Sequence, residues 1–299
     1  MCGIVGYTGT APVRDILLEG LRKLEYRGYD SAGIAVETND KISIVRRVGK
    51  VEELAKAVED WDVTSTCGIG HTRWATHGRP TEPNAHPHSD CSGKIAVVHN
   101  GIIENFVQLR DLLESEGHVF KSETDTEIVA HLIEKYYDGD LIDALARTTE
   151  VLQGAYGLAV MHVDHPGEIA VTRKDSPIVV GLSEGDEPAA LVASDIVAIM
   201  DFTRDVVFLE DGQFALLQPT RIDYFSAPGE PVELETMHID WDAEDAERGG
   251  FPDFMLKEIY EQPRAVRDTI SGAVKNGYVL FDNLALDDDD IDAIDIVYI

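Results

Sequence analysis

Cys2 follows the initiator methionine directly, and so small a residue allows Met1 to be removed. The freed cysteine would carry its own α-amino group beside its thiol. An α-amine titrates near about 7.7–8.0, so around neutral pH it can take the proton of an adjacent nucleophile without a histidine partner. A cysteine merely tolerated at position two is the plainer alternative. His86 and His88 are spaced H-x-H, as metal ligands can be, but no acid or cysteine at suitable spacing accompanies them, and no metal is expected. Asn100-Gly101, after the apolar run 95–98, has the composition of a type I′ hairpin turn. Thr124-Asp125-Thr126-Glu127 reads as a capping box with an acid in the first helical turn. Of the remaining cysteines, Cys67 reads as a buried small hydrophobe and Cys91 as an exposed loop residue. The three have no CxxC spacing, which argues against a disulfide framework or a structural zinc site. No Walker A motif and no GxGxxG after a strand is present, so nucleotide ligands and cofactors are not expected.

The elements that must position these residues alternate from Gly3 to about Gln218. Strands are predicted over 3–7, 32–37, 42–48, 67–73, 95–100, 157–163, 168–172, 178–181, 190–193, 206–209 and 213–217, many of them rich in β-branched residues and closed by turn residues. Helices are predicted over 13–24, 51–58, 106–116, 126–137 and 141–152. In the first, Val13, Ile16, Leu17, Leu21 and Leu24 form one apolar stripe. Strands outnumber helices and hairpin-length links such as 163–168 point to antiparallel pairing, so the fold class is α+β with mainly antiparallel sheets, not doubly wound.

Several runs occur in order: Cys2-Gly3-Ile4-Val5-Gly6, Tyr26-Arg27-Gly28-Tyr29-Asp30-Ser31-Ala32-Gly33, His71-Thr72-Arg73-Trp74-Ala75-Thr76-His77-Gly78, Asn84-Ala85-His86-Pro87-His88, His99-Asn100-Gly101 and Ser122-Glu123-Thr124-Asp125-Thr126-Glu127. Together they resemble the glutaminase domain of the glutamine:fructose-6-phosphate aminotransferases, a family of class II amidotransferases with an N-terminal cysteine. The resemblance implies a four-layer αββα sandwich of the N-terminal-nucleophile hydrolase type. It also implies that the Cys2 thiolate attacks the side-chain amide of L-glutamine to give a thioester, then glutamate and ammonia. On the same footing, Asn100 and Gly101 supply the oxyanion donors, Arg73 binds the substrate carboxylate and Asp125 its ammonium. Thr76, His77 and Gly78 fold over the substrate, Trp74 gates the exit of ammonia, and His86 orients the substrate or its loop. The amidotransferases that supply ammonia to asparagine or to phosphoribosylamine synthesis are rivals within the class, though for the purine enzyme glutamine would be expected where Tyr29 stands and tyrosine in place of Trp74. A glutamine-binding module without turnover is the rival of another class, favoured if Met1 is retained.

The resemblance covers 2–220 as the glutaminase domain. Residues 221–286 read as an acidic linker and a connecting helix, and 287–299 as the start of a sugar-isomerase domain that is cut short. Fructose 6-phosphate would therefore bind only through domains beyond this chain, which the resemblance makes a homodimer when full length. With 299 residues, 44% of them hydrophobic, the chain can bury a substantial core. It has neither an apolar run of about 18 residues nor a signal-peptide pattern, and is expected in the cytoplasm. Fifty-six acids against 25 Lys plus Arg give a formal charge of -31, which opposes binding to nucleic acid or to anionic membranes. Charge of this size spread along the chain fits a surface adapted to concentrated salt, where screening limits self-repulsion.

Overall fold

The computed structural model describes residues 2–38, 41–61, 64–75, 78–185, 187–240, 251, 254–271, 274–275 and 278–279. Fifteen strands in the first part of the chain make two sheets. In chain order they are β1 (Gly3–Gly9), β2 (Ser31–Thr38), β3 (Lys41–Val48), β4 (Cys67–Arg73), β5 (His88–Ser89), β6 (Ile95–Ile103), β7 (Gly154–His162) and β8 (Ile169–Lys174). They continue with β9 (Val179–Ser183), β10 (Ala189–Ala193), β11 (Asp205–Phe208), β12 (Phe214–Gln218), β13 (Arg221–Ala227), β14 (Glu230–Pro231) and β15 (Met237–His238). The first sheet has the order β15-β11-β9-β10-β1-β4-β2-β3 and the second β14-β13-β12-β8-β7-β6-β5. Neighbours within both sheets pair antiparallel.

Period-2 side-chain alternation turns these sheets into layers. In β1, Val5 and Tyr7 face helices α1 (Val13–Leu24) and α2 (Val51–Ala57), where Leu17, Leu21, Leu24 and Leu54 are fully buried. Ile4, on the other face of the same strand, joins Ile69 and Val192 against Ala96, Val98, Ala159 and Val171 of the second sheet. Ile95 and Val97 then point away from that interior, toward α3 (Phe106–Ser115), α4 (Glu127–Tyr136) and α5 (Leu141–Val151), packing with Leu113, Ile128, Ile133 and Leu145. Helices, sheet, sheet, helices: the αββα sandwich follows directly from three apolar clusters. Each fully buried Leu, Ile or Val is worth about 1.5–3 kcal/mol, so these layers, not the polar site, carry the stability.

The structure departs from sequence expectation in two places that matter. Asn100-Gly101 is not a hairpin turn, because β6 continues through Ile103 with Asn100 opposite Gly157 and Gly101 opposite Tyr156. Residues 221–227, read from sequence as connecting segment, instead form β13, pairing with β12 and directing Ile222 and Tyr224 onto the inter-sheet core. The chain divides into two compact units, Met1–Ala243 and Glu244–Ile299. The second contains helix α6 (Phe254–Ser271), with Pro263 inside it, and the short pair Val274–Lys275 and Tyr278–Val279. Residues 287–299, read from sequence as the start of a further domain, lie outside the described residues. No helix among the described residues is long and apolar enough to cross a membrane.

Candidate active site

Cys2 stands at the start of β1, and the register that sets Gly3 opposite Thr72 brings it beside the end of β4. There the Trp74 backbone N–H donates to Cys2 Sγ at 3.2 Å, and the thiol lies 3.5 Å from the Trp74 carbonyl oxygen. Burial pushes the Cys2 thiol above its ordinary pKa, and the Trp74 hydrogen bond opposes that shift only in part. The thiolate therefore needs a base or a substrate-induced change to form at neutral pH.

The second sheet supplies the facing group. Asn100 Nδ2 donates to the Cys2 carbonyl oxygen at 3.2 Å, while Asn100 Oδ1 accepts from His71 Nε2 at 3.0 Å. His71, fully buried on β4, is held down to about 3 chiefly by burial, so its ring is neutral, and the bond to Oδ1 requires the Nε2–H tautomer. That bond fixes the side-chain amide of Asn100 with its NH2 toward Cys2. Gly101 follows at φ 133°, and a Cβ there would lie 2.0 Å from the Ala155 carbonyl oxygen, so only glycine fits between β6 and β7.

Arg73 closes another side. Its buried guanidinium donates to the carbonyl oxygens of Gly78 at 3.1 Å and Arg79 at 3.4 Å, and lies 3.9 Å from Asp30 Oδ1. Asp30 in turn accepts the backbone N–H of Ala75, just after Trp74. Asp125 is buried and accepts the Ile103 N–H at 2.8 Å. Its neighbours do not make the expected capping box: Thr126 caps α4 without a side-chain bond, Thr124 Oγ1 meets His88 Nε2 at 3.0 Å, and Glu127 reaches back to the N–H groups of Lys121 and Ser122, both at 2.7 Å. The loop is held by Glu127 at the start of α4 and by His88 from β5, and Asp125 lines the cleft.

Trp74 is 54% exposed, with its ring against Gly28, where a Cβ would come within 2.8 Å of Cε3. It is not a core aromatic. His86 is buried, stacks on His71 with ring centroids 4.1 Å apart and accepts the His99 N–H at 3.4 Å. Burial first, and neighbouring positive groups second, hold His86 and His88 well below the usual histidine range. The H-x-H pair is thus divided between a ring stack and a hydroxyl. Cys2, Arg73, Trp74, His86, Gly101 and Asp125 line one narrow cleft together with His99, Thr124 and Thr126. A larger open groove of about 630 Å³ near Gly181, Phe202 and Tyr224 has no cysteine, histidine or serine in its lining. Thr76 and His77 lie outside the described residues.

A family model described as "Glutamine amidotransferase domain" matches residues 71–201. The glutamine--fructose-6-phosphate aminotransferase of Thermus thermophilus is 49% identical over 299 residues, 99% of this chain and 49% of that protein. The chain belongs to the glutamine amidotransferases. Another relative of this amidotransferase, the same-named enzyme of Clostridium acetobutylicum, is 46% identical over all of the chain and 49% of its own length. The chain therefore spans about half the length of the relatives it matches. Among solved structures, glutamine phosphoribosylpyrophosphate amidotransferase from B. subtilis superposes with a TM-score of 0.61 at 26% identity, covering 81% of this chain and 50% of that one. Identity is higher to the fructose-6-phosphate enzymes than to this purine-type neighbour, in line with Tyr29 and Trp74.

Sequence reading of this amidotransferase domain missed His71 and His99 as lining or supporting groups, although both sit inside the recognised runs. Strand alternation was the available signal: His71 and Arg73 lie two apart on β4 and share a face. It also missed a grouping of Cys91, His118, His131 and Glu134, because three of its four members are far apart in sequence.

Proposed function

We propose that this chain hydrolyses L-glutamine to glutamate and ammonia through Cys2. After removal of Met1, the α-amine takes the thiol proton and Sγ attacks the side-chain amide carbon. The tetrahedral oxyanion is met by Asn100 Nδ2 and the Gly101 N–H. Collapse breaks the C–N bond, ammonia leaves with the proton returned by the α-ammonium, and water cleaves the thioester to glutamate. Arg73 suits the substrate carboxylate through its planar fork, and Asp125 the substrate ammonium. His86 holds the floor of the site, and Trp74 stands at the exit for ammonia.

The observation that carries this reading is the Asn100 amide, held by a neutral His71 with its NH2 directed at Cys2 from the opposing sheet. In a protein of the relatives' full length the ammonia would convert fructose 6-phosphate to glucosamine 6-phosphate, which accords with the names of the half-matched relatives. By the same resemblance that protein works in the cytoplasm as a homodimer.

The test is glutamate release from glutamine by the 299-residue chain, at low and high salt, after mass spectrometry has verified an N-terminal Cys2. Turnover abolished by Cys2→Ala is the expected result. A folded, processed chain that binds glutamine without releasing glutamate would overturn the proposal in favour of a binding module.

A further inference from the structure

Away from the Cys2 cleft, four side chains converge from separate stretches: Cys91 in the turn between β5 and β6, His118 in the loop after α3, and His131 with Glu134 on one face of α4. Their ligand atoms all lie within 4.8 Å of one another. Cys91 Sγ is 3.9 Å from His118 Nδ1 and 3.6 Å from His131 Nδ1. Glu134 Oε2 is 2.9 Å from His118 Nδ1 and 3.3 Å from His131 Nδ1. Zinc bonds of about 2.3 Å to sulfur and about 2.0–2.1 Å to nitrogen and oxygen, set at tetrahedral angles, give edges of about 3.3–3.6 Å. Four of the six edges, from 2.9 to 3.9 Å, straddle that range, and the other two are at most 4.8 Å, so small side-chain shifts close the set around an ion. We propose that Cys91, His118, His131 and Glu134 form a closed, structural Zn²⁺ site.

The charge count supports a divalent ion. A thiolate and a carboxylate beside two neutral imidazoles sum to two negative charges, which Zn²⁺ neutralises. Mixed sulfur, nitrogen and oxygen donors at four-coordinate spacing favour zinc over magnesium or calcium, which take oxygen shells. The surroundings are those of a supported site. The Val119 N–H donates to Cys91 Sγ at 3.3 Å, which stabilises a thiolate, and the Cys91 N–H lies 3.4 Å from Glu134 Oε2. His131 is fully buried, its Nδ1 turned to the cluster and its Nε2 3.7 Å from Glu127 Oε1, so a carboxylate stands behind a histidine ligand. Phe120 packs edge-on against the His131 ring with centroids 4.4 Å apart and shields that side from water.

The ion would clamp a particular piece of chain. Glu127, behind His131, accepts from Lys121 N, Ser122 N and Ser122 Oγ, and Ser122 Oγ contacts Thr124 Oγ1 at 2.9 Å. That segment ends in Thr124 and Asp125 of the cleft, so zinc would set the position of the loop that carries Asp125.

The test uses the full 299-residue chain carrying Cys2→Ala, which removes the terminal aminothiol as a competing chelator. The protein is stripped with a chelator, exposed to ZnCl2, desalted, and its zinc counted by elemental mass spectrometry. The expected result is about one zinc per chain with a raised melting temperature. Co²⁺ in place of zinc should give tetrahedral ligand-field bands and a thiolate charge-transfer band. Cys91→Ser should remove the charge-transfer band and weaken zinc at least about tenfold. His118→Asn, a change at a part-exposed loop position, should weaken zinc similarly in a chain whose circular dichroism is unchanged. No retained zinc, an octahedral cobalt spectrum, or stoichiometric zinc unaffected by both substitutions would each overturn the site.

Discussion

Cys2 and Cys91 each receive one backbone N–H on sulfur, from Trp74 at 3.2 Å and from Val119 at 3.3 Å, yet the company beyond that bond differs. Around Cys2 stand an amide aimed across from the opposing sheet, a guanidinium and a cleft, and no basic side chain bonds the sulfur in the described residues. Around Cys91 stand two imidazoles and a carboxylate whose ligand atoms lie with its sulfur within 4.8 Å of one another. The third cysteine, Cys67, is buried in β4 with its thiol pushed up to about 12, chiefly by burial. One residue type therefore has three surroundings in one domain, and on the readings proposed above they make Cys2 a nucleophile lacking only a base, Cys91 a metal ligand and Cys67 an inert hydrophobe.

Exchanging sulfur for oxygen is the strongest way to break this comparison. Cys2→Ser should lower glutamate release at least about a thousandfold and leave bound zinc in place. Cys91→Ser should do the reverse, losing zinc while retaining measurable turnover, and a pair of variants with the same phenotype would dissolve the distinction. Asn100→Ala should cost about a hundred- to a thousandfold in kcat, with a smaller change in KM, as removal of an oxyanion donor does. A steady-state assay giving near-normal kcat would reduce Asn100 to a strand residue.

Gly101→Ala acts on the fold instead. With a Cβ forced to 2.0 Å from the Ala155 oxygen at positive φ, it should lose about 2–4 kcal/mol of stability, read from the urea midpoint. A midpoint matching the parent protein would mean that β6 and β7 can part there without cost.

The smallest effect concerns pH. His71, His86 and His88 have depressed folded pKa values, His71 at about 3, whereas in the unfolded chain each takes up a proton near 6.5. The unfolded state thus binds more protons below that point. Stability is full above about pH 6.5 and falls as the pH drops toward the folded values, by up to about 1.4 kcal/mol per pH unit for each ring. Melting temperatures followed down from neutral pH should decline, and less steeply for His71→Gln. Equal slopes for the two proteins would remove His71 from the account.

The layers were legible because apolar residues repeat at 2.0 and 3.6: the stripe from Val13 to Leu24 gives α1 residue for residue, and the alternation of Ile95, Val97 against Ala96, Val98 gives β6. β13 was not legible, since Arg221, Asp223 and Ser226 interrupt it and its partly buried Ile222, Tyr224 and Phe225 acquire meaning only beside β12. Asn100-Gly101 misled because two residues suffice to describe a turn, whereas continuation of the strand depends on Gly157 and Tyr156 across the sheet. The Cys91 grouping joins positions up to 43 residues apart, and only the return of α4 past the loop after α3 brings them together.

The bridge from Asn100 to Cys2 and His71 crosses between two sheets whose shared core is otherwise mostly apolar. Apolar contacts slide; directional hydrogen bonds do not. The alignment of the sandwich is thus tied to the geometry of the cleft, and a bulky side chain at Ala96 or Ala159, far from any reacting atom, acts as a wedge that swings the amide off its target. Such a protein would lose about 1–3 kcal/mol of stability to overpacking, and while still folded it would turn over more slowly than that loss explains, a failure of alignment added to one of packing.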